Sequence, residues 1–580
     1  MIIIGINAYH GDSSACLIKN GQLLAAAEEE RFRRIKHWAG FPSEAIKYCL
    51  AEAKIGIRDV DHIAINQDSK ANLWNKISFA LHNKPDLDLV IDRLRNKHER
   101  SNVVDEISNS VGQGFRGTLH ETEHHLAHLS SAFHVSPFRD ATLVSVDGFG
   151  DFASAAWGFG SDIDITVDKK VYFPHSLGIF YQALTQWLGF PHYGDEYKVM
   201  GLAPYGSSDH ISEMREMVLL KEDGSFELDL RFFRHHNEKI EYEWANGEPK
   251  VGILYSKSLI ELLGPARQKG EELTSRHKNI ARSVQEMYEE AFFNILNQVH
   301  KQHPQKNLCL AGGCAMNSVA NGKIYRKTPY ENIYIPSAAA DAGGAIGAAF
   351  ATWHKLGGAR VFEMDHAYWG PGFSDSDYST LLSKNSDFIQ KEECAVTHIA
   401  DQLELCGIIA EAISEGKIIG WFQGRMEWGP RALGNRSILG DPRRSDMKDI
   451  LNLKIKRRES FRPFAPSILR EAAHDWFEQD DDVPFMMQVY PIREEKRPLI
   501  PAVAHVDGSG RLQTVTVESN PLYHCLISRF GQLTGVPMLL NTSFNENEPV
   551  VCKPEEALDC FLRTKMDILV LGSWIIKRTQ

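Results

Sequence analysis

The first part of the chain alternates short apolar runs with turn residues. Residues 2–31 predict three strands, which are separated by turns at "YHGDSS" and "KNGQ". Residues 141–160, "ATLVSVDGFGDFASAAWGFG", show a similar rhythm of an apolar run, an Asp-Gly turn and a second apolar run. Two hairpins that each open a series of strands and helices predict an α/β fold with a duplicated architecture.

The remaining pattern predicts how the chain divides. An amphipathic helix pattern covers residues 266–302, and a new series of strands and helices begins near residue 400. One hydrophobic core stops growing at about 250–300 residues, so a chain of 580 residues needs at least two domains. We predict a first domain over 1–355 with a charged helical insertion near 82–116, a linker over 356–399 and a second domain over 400–580.

Composition narrows the class of protein. The chain has 43% hydrophobic residues, as globular proteins do, and its net charge of -12 disfavours a broad nucleic-acid surface. The nine cysteines are scattered without a C-x-x-C pair, which favours reduced thiols and a cytoplasmic protein. No apolar run reaches the roughly 18 residues that span a bilayer, and the chain does not begin as a signal peptide does. We therefore expect neither a membrane protein nor a nucleic-acid partner.

Basic residues concentrate in the second part of the chain. Residues 422–444 contain five arginines, and residues 451–467 add five lysines and arginines. Glycine, proline and aromatic residues lie between them, whereas a solvated helix face mixes lysine with glutamate. Because one guanidinium group can donate two parallel hydrogen bonds to the oxygens of a phosphate, the cluster predicts a pocket for a small anionic ligand. Structural ion pairs are the alternative interpretation.

A pair of histidines in "ETEHHLAHLSSAF" suggests a metal site. His124 and His128 lie four residues apart and share one face if this stretch is helical. The zinc-protease pattern H-E-x-x-H is excluded, because its glutamate is replaced by His125. Asp147 and Asp341 each follow an apolar run and precede small residues. Two imidazoles and two carboxylates suit Zn²⁺, Fe²⁺ or Mn²⁺, and a helix with buried structural histidines is the alternative.

A glycine pair marks a further candidate site. Gly312 and Gly313 in "LAGGCAMN" follow an apolar run and precede a helix pattern. Such a turn lets backbone N–H groups approach a nucleotide, and the start of the helix favours a phosphate. A plain tight turn has the same pattern, so both interpretations stay open.

Longer motifs along the chain resemble those of a known family. In the first half these are "HHLAH", "VSVDGFGD", "GDEYKVMGLAPYG", "LAGGCAMN" and "DAGGAIGAA". In the second half they are "GRMEWGPRALGNRSIL", "IKRRESFRPFAPS", "HVDGSGRLQTV" and "LLNTSFNENEPVV". Together, and in this order, they resemble the NodU/CmcH family of O-carbamoyltransferases over nearly the whole chain.

The resemblance implies a fold and an activity. The first domain would have the duplicated actin/hexokinase-like (ASKHA) fold, similar to the TsaD proteins, and the second would be a YrdC-like twisted α/β domain. The family forms carbamoyl-adenylate from carbamoyl phosphate and ATP, which enters with Mg²⁺. It then transfers the carbamoyl group to a hydroxyl of a small-molecule acceptor, such as a sugar or a secondary metabolite of antibiotic or nodulation pathways.

The resemblance also implies site residues. The family's metal site, usually occupied by Fe²⁺, falls on His124, His128, Asp147 and Asp341. Its YrdC-like pocket for carbamoyl phosphate and ATP falls on Arg431, Lys456, Arg462, Arg511, Asn541 and Ser543. The adenylate in the first domain would lie against Gly312, Gly313 and Asn317, and the catalytic residues lining it would be His10, Lys36 and Lys198.

Within that set His10 is the expected general base, because imidazole titrates near neutrality. The chain reads His-Gly-Asp at residues 10–12, where relatives often have His-Asp, so the role of Asp12 stays open.

Two other activities compete with carbamoyl transfer. A small-molecule kinase of the ASKHA class would convert ATP to ADP, whereas carbamoyl-adenylate formation releases pyrophosphate and then AMP. A threonylcarbamoyl-type tRNA modification enzyme would need a basic face, which the net charge of -12 disfavours. The sequence does not decide between a monomer and a homodimer.

Overall fold

The structure is a computed structural model that describes residues 1–83, 103–238, 240, 242–243 and 247–579. The chain forms two compact units, Met1–Met364 and Asp365–Gln580. Of the predicted helical insertion, residues 84–102 lie outside the described residues. Among the described residues, no helix combines the length and the apolar character that crossing a bilayer requires.

The first strands of unit 1 form a mixed sheet in the order β3-β2-β1-β4-β5. Its central strand β1 pairs antiparallel with β2 and parallel with β4. Because helices cover both faces, β1 is buried almost along its whole length and reads as a continuous apolar run. The strands are β1 (Ile2–Asn7), β2 (Ser14–Lys19), β3 (Gln22–Glu28), β4 (His62–Ile65) and β5 (Thr118–Glu121).

A second sheet of unit 1 repeats this topology. The remaining strands of unit 1, not all of which belong to this sheet, are β6 (Asp140–Gly150), β7 (Ala153–Ser161), β8 (Asp164–Tyr172), β9 (Val218–Leu220), β10 (Phe226–Leu228), β11 (Tyr242–Glu243), β12 (Lys250–Val251), β13 (Asn307–Ala311) and β14 (Asn332–Tyr334). The sheet order is β14-β13-β6-β7-β8, and β6 pairs antiparallel with β7 and parallel with β13. β6 therefore occupies the place that β1 has in the first sheet. The predicted duplicated α/β fold is confirmed.

The α-helices of unit 1 cover these sheets. They are Glu30–Arg33, Ser43–Glu52, Leu73–Asn83, Val103–Ser110, His124–Phe133, Leu177–Trp187, Glu196–Leu202, Ile211–Met217, Lys257–Leu263, Ser275–Gln302, Ser318–Asn321, Ile324–Lys327 and Gly344–Lys355. The helix predicted over 266–302 begins only at Ser275, because Thr274 in front of it forms a capping box with His277.

Two helices of unit 1 meet at very short range. A Cβ atom added to Gly347 would lie 1.8 Å from the backbone oxygen of Ala127. The helix Gly344–Lys355 can therefore pack closely against the helix His124–Phe133 only because residue 347 has no side chain. Nine of the ten residues of the latter helix are buried, so its position is determined by packing on all sides.

Unit 2 is built around one mixed sheet in the order β15-β23-β22-β16-β17-β21-β18-β20-β19. Its strands are β15 (Cys394–His398), β16 (Ile419–Phe422), β17 (Arg436–Gly440), β18 (Ala465–Leu469), β19 (Gln488–Pro491), β20 (Ser509–Val515), β21 (Met538–Ser543), β22 (Ile568–Leu571) and β23 (Trp574–Arg578). Its α-helices are Asp375–Lys384, Ser386–Lys391, Gln402–Ser414, Met447–Leu451, Ala473–Trp476, Pro521–Thr534 and Pro554–Arg563.

The segment 356–399, interpreted from the sequence as a linker, contains regular structure. It holds two of these helices and the edge strand β15, which pairs with β23. Four of the five residues of β15 are exposed, so the strand lacks the apolar alternation that marks a half-buried strand. An edge strand of this kind is hard to predict from the apolar pattern.

Candidate metal centre and anion pocket

Four side chains of unit 1 converge on one point. His124 and His128 lie one turn apart on the helix His124–Phe133, Asp147 lies near the end of β6, and Asp341 precedes the helix Gly344–Lys355. One ligand atom from each lies within 4.8 Å of all the others. The Nε2 atom of His128 is 2.8 Å from Asp147 Oδ2 and 3.5 Å from Asp341 Oδ1. We refer to these four residues as the metal cluster.

The electrostatics of the metal cluster come from burial and close opposite charges. Burial disfavours a charged His128, but hydrogen bonds to Asp147 and Asp341 outweigh it and raise its pKa to about 9. Burial likewise opposes the Asp147 carboxylate, yet hydrogen bonds from both histidines hold its pKa well below the usual range. Burial and the nearby Asp147 charge raise the pKa of Asp341. Two buried imidazoles and two carboxylates whose donor atoms meet in this way fit a divalent Fe, Mn or Zn ion.

His125 lies outside the metal cluster, as its place on another helix face predicts. Its Nδ1 atom is 3.0 Å from the hydroxyl of Ser145, and the ring is fully buried. Burial, followed by the charge of His124, lowers the pKa of His125 to about 3. It is therefore a neutral core residue at physiological pH.

The glycine turn reaches the metal cluster. The backbone N–H of Gly313 donates a hydrogen bond of 3.1 Å to Asp147 Oδ1. Gly312 has φ +88°, and an added Cβ would lie 2.3 Å from the backbone oxygen of Val146, so only glycine fits there. Asn317 caps the following short helix and exchanges amide hydrogen bonds with Gln285. The predicted nucleotide loop and metal ligands are thus neighbours.

The predicted catalytic residues have different surroundings. The ring of His10 lies 5.1 Å from the ring of His124, at the edge of the metal cluster. Lys36 is exposed on the loop after β3. Lys198 forms an ion pair of 2.8 Å with Asp195. The structure therefore brings His10 to the metal cluster, while Lys198 is already paired with a carboxylate.

Sequence reasoning missed His37. Its Nδ1 atom lies 2.8 Å from Asp12 Oδ1, and its backbone N–H donates to Glu30. The ring also packs edge-on against Tyr193 at 5.4 Å. His37 follows the predicted Lys36 directly, but it lies 25 residues from Asp12 in a loop without periodic pattern. The adjacent histidine in "IKHW" was the available signal.

In unit 2, three of the predicted pocket residues form an arginine cluster with Arg458. Arg511 is surrounded by the positive charges of Arg431, Arg458 and Arg462, and burial together with these charges holds its pKa well below the usual range. Its Nε atom is buried and has no hydrogen-bond partner among the described residues. An anion bound among these guanidinium groups would relieve their mutual repulsion, so the cluster stays a predicted anion site.

The other predicted pocket residues are tied into the protein. Lys456 is 2% exposed, and its ammonium donates to the backbone oxygens of Ser543 and Asn545 and to the Asn545 side chain. The amide of Asn541 donates to Ala432 O, at 3.1 Å, and to the hydroxyl of Ser467. Lys456 therefore holds the loop after β21 in place.

The chain matches both parts of one protein family. Residues 2–350 match the carbamoyltransferase N-terminus and residues 410–578 the carbamoyltransferase C-terminus. A protein of Synechocystis sp., described as uncharacterized protein sll1178, is 39% identical over 100% of this chain and 97% of its own length. Nodulation protein NolNO of Sinorhizobium fredii is 38% identical over 99% of this chain and 80% of its own. A 3'-hydroxymethylcephem-O-carbamoyltransferase of Streptomyces clavuligerus is 30% identical over 62% of this chain and 60% of its own. The chain is a carbamoyltransferase-family enzyme.

Proposed function

We propose that this protein is an O-carbamoyltransferase that works in two steps. Unit 2 forms carbamoyl-adenylate from carbamoyl phosphate and ATP, and unit 1 transfers the carbamoyl group to a hydroxyl of a small molecule. The observation that carries the proposal is the arginine cluster, in which the positive charges of Arg431, Arg458 and Arg462 act on the buried guanidinium of Arg511. Carbamoyl phosphate and the phosphates of ATP bring negative charge to this cluster.

The first step needs fixed positive charge. Water first cleaves the bond between the carbamoyl group and its phosphate, which releases inorganic phosphate and carbamate. A carbamate oxygen then attacks the α-phosphorus of ATP, the bond from that phosphorus to the β-phosphate oxygen breaks, and negative charge develops on the departing pyrophosphate. Guanidinium groups that are already in place stabilise this charge without reorganising. Arg431, Arg458, Arg462 and Arg511 are the groups that bind these phosphates, and Lys456 holds Ser543 and Asn545 beside them.

The second step, the transfer of the carbamoyl group, takes place at the metal cluster and the glycine turn. A bound divalent ion, which we expect to be Fe²⁺, would be held by His124, His128, Asp147 and Asp341 and would offset phosphate charge as a Lewis acid. The glycine turn at Gly312 and Gly313 has no side chains, so the adenylate can approach its backbone closely, while the Gly313 N–H holds Asp147 and Asn317 caps the short helix that follows. The hydroxyl then attacks the carbamoyl carbon, and AMP leaves.

The acceptor and the location follow from chemistry and from the relatives. One relative is named for carbamoylating a hydroxymethyl group, and others for nodulation. We therefore propose a hydroxyl of a sugar or secondary metabolite as the acceptor. The nine cysteines all have free thiols, which supports a reducing compartment such as the cytoplasm.

The proposed function is tested by identifying the products that the enzyme forms from ATP. Enzyme loaded with Fe²⁺ is incubated with carbamoyl phosphate, ATP, Mg²⁺ and a panel of alcohols, and the nucleotides are identified by mass spectrometry. We expect pyrophosphate and AMP only when carbamoyl phosphate is present. The variant Lys456→Ala should lose at least 100-fold of this activity, because its loop is released. Formation of ADP alone would instead indicate a kinase and would contradict the proposal.

A further inference from the structure

Asp12 and His37 form an ion pair between two loops of unit 1. The pair joins the turn between β1 and β2 to the loop that follows the helix Glu30–Arg33, with Asp12 Oδ1 and His37 Nδ1 2.8 Å apart. Asp12 and His37 both have φ +55°, in the left-handed region that Asp and His adopt more often than most other non-glycine residues. Hydrogen bonds from Asn7 Nδ2 to the backbone oxygens of Gly11 and Asp12 hold the turn that carries Asp12.

The turn that carries Asp12 adjoins the metal cluster. His10, two residues before Asp12, places its ring 5.1 Å from that of His124. The hydroxyl of Ser14, two residues after it, donates a hydrogen bond of 2.8 Å to Ala342 O, next to Asp341. The pair is partly exposed, with 25% of the Asp12 side chain and 32% of the His37 side chain accessible. Asp12 is also close enough to the metal cluster for the charge of Asp147 to act on its carboxyl group.

The surroundings favour a charged carboxylate on Asp12. Burial raises the pKa of Asp12, but the charge and hydrogen bond of His37 outweigh it and lower the pKa below its usual value. Burial also disfavours a charged His37, yet the Asp12 carboxylate raises its pKa to about 9. At neutral pH the pair is thus an imidazolium that holds a carboxylate. One oxygen of Asp12 accepts from His37, and the second oxygen can accept from another donor.

From this geometry we propose that Asp12 is the general base that takes the proton of the acceptor hydroxyl, and that His37 positions it. The inference rests on the proposed function and replaces His10 as the expected base. The ring of His10 packs against the ring of His124, which is a predicted metal ligand. The Asp12 carboxylate instead accepts a hydrogen bond from His37, which holds it in place. An ionised Asp carboxylate can accept the proton of a hydroxyl group, as in the catalytic loop of protein kinases, and the hydrogen bond from His37 fixes its orientation.

In the transfer step, bonds form and break at the acceptor oxygen and at the carbamoyl carbon. The acceptor oxygen forms a bond to the carbamoyl carbon, and its proton moves to the Asp12 carboxylate. The bond between that carbon and the phosphate oxygen breaks, and its electron pair leaves with AMP. The products are a carbamate ester, AMP and one proton, which Asp12 returns to solvent.

The experiment compares two nucleophiles on the holoenzyme. Glycerol, supplied in excess as the alcohol, must lose a proton as it attacks, whereas hydroxylamine is nucleophilic without a base and yields hydroxyurea. Each variant is given Fe²⁺, carbamoyl phosphate and ATP, and both products are measured by mass spectrometry. We expect Asp12→Asn to lower carbamoyl-glycerol at least 100-fold, as loss of a general base does, and to change hydroxyurea less than about 3-fold.

Variants of His37 separate positioning from folding. His37→Gln retains a donor for Asp12 and should keep more glycerol transfer than His37→Leu, with hydroxyurea unchanged in both. The control is His120→Gln, which removes a histidine whose Nε2 atom lies 3.0 Å from Nδ1 of His62, and it should change neither product. Unchanged glycerol transfer in Asp12→Asn, or an equal loss of both products, would overturn the inference. Absence of carbamoyl-dependent AMP in the wild type would instead refute the proposed function itself.

Discussion

At the scale of single residues, chemically similar side chains have opposite roles because their neighbours differ. His124 and His125 are adjacent in sequence, yet one points at two carboxylates and the other at a serine hydroxyl. Arg511 lies among other arginines, whereas Arg425 donates to the backbone oxygens of Trp369 and Gly370. The surroundings of each residue therefore decide whether it binds a ligand or stabilises the fold.

The first prediction concerns the histidines. Replacing His128 by Gln removes one of four ligands, so the purified protein should fall from about one bound divalent ion per chain to less than a tenth. Metal content is measured by mass spectrometry after loading with Fe²⁺. The variant His125→Gln is the matched control and should retain its metal. Equal metal loss in both variants would argue against the metal cluster.

The second prediction concerns the arginine cluster. Arg511→Met removes a buried charge that lies among like charges, so it should raise the free energy of unfolding of the ligand-free protein by about 1–2 kcal/mol. The same variant should lose carbamoyl-dependent release of pyrophosphate. By contrast, Arg425→Met breaks hydrogen bonds to backbone oxygens and should lower stability by about 1–3 kcal/mol. Urea titration measures both, and a destabilised Arg511→Met would mean that other groups compensate its charge.

At the scale of elements, the metal cluster depends on how closely two helices pack. The helix His124–Phe133 carries both histidines, and the helix Gly344–Lys355 follows directly on Asp341. Their contact at Gly347 leaves no room for a methyl group. The distance between these helices therefore controls the distance between the imidazole and carboxylate ligands.

The third prediction uses this contact. Gly347→Ala should lower the free energy of unfolding by about 1–3 kcal/mol through overpacking, and should weaken metal binding because the helices separate. Gly407→Ala is the control, since Gly407 lies in the helix Gln402–Ser414 and no atom lies within 4 Å of an added Cβ. It should stabilise the protein by about 0.5–1 kcal/mol, as helix propensity predicts. Thermal unfolding and metal titration provide the readouts, and unchanged metal affinity in Gly347→Ala would contradict the coupling.

At the scale of the whole molecule, two units with separate sheets hold two candidate sites. The metal cluster lies within Met1–Met364 and the arginine cluster within Asp365–Gln580. Each unit buries its own apolar side chains around its own sheets. Ligands of one site should therefore stabilise mainly the unit that binds them.

The fourth prediction follows from this division. Calorimetry of the metal-loaded protein should show two unfolding transitions. Removing the metal with a chelator should lower the temperature of one, and adding carbamoyl phosphate with ATP should raise the temperature of the other. Calcium-loaded chelator, which cannot extract Fe²⁺ as readily, is the control. A single transition that responds equally to both treatments would show that the units unfold together.

The sequence by itself determined the local elements and their chemistry. Apolar periodicity was sufficient for the two hairpins of the duplicated fold, for the helix that holds His124 and His128 on one face, and for the glycine turn at Gly312. These features depend on residues close together in the chain, and so they are visible in a local pattern. The edge strand β15 was not predicted, because its mostly exposed residues do not alternate between apolar and polar positions.

Only the tertiary structure decided which distant groups meet. It brings His37 to Asp12, packs Gly347 on Ala127, and hydrogen-bonds Lys456 to the loop after β21, while the role of Lys456 in the anion pocket stays a prediction. The electrostatic state of a group depends on burial and on charges from other elements, which a local pattern does not contain. For this reason the kind of site was predictable from residue types, while the partner of each side chain depended on the folded chain.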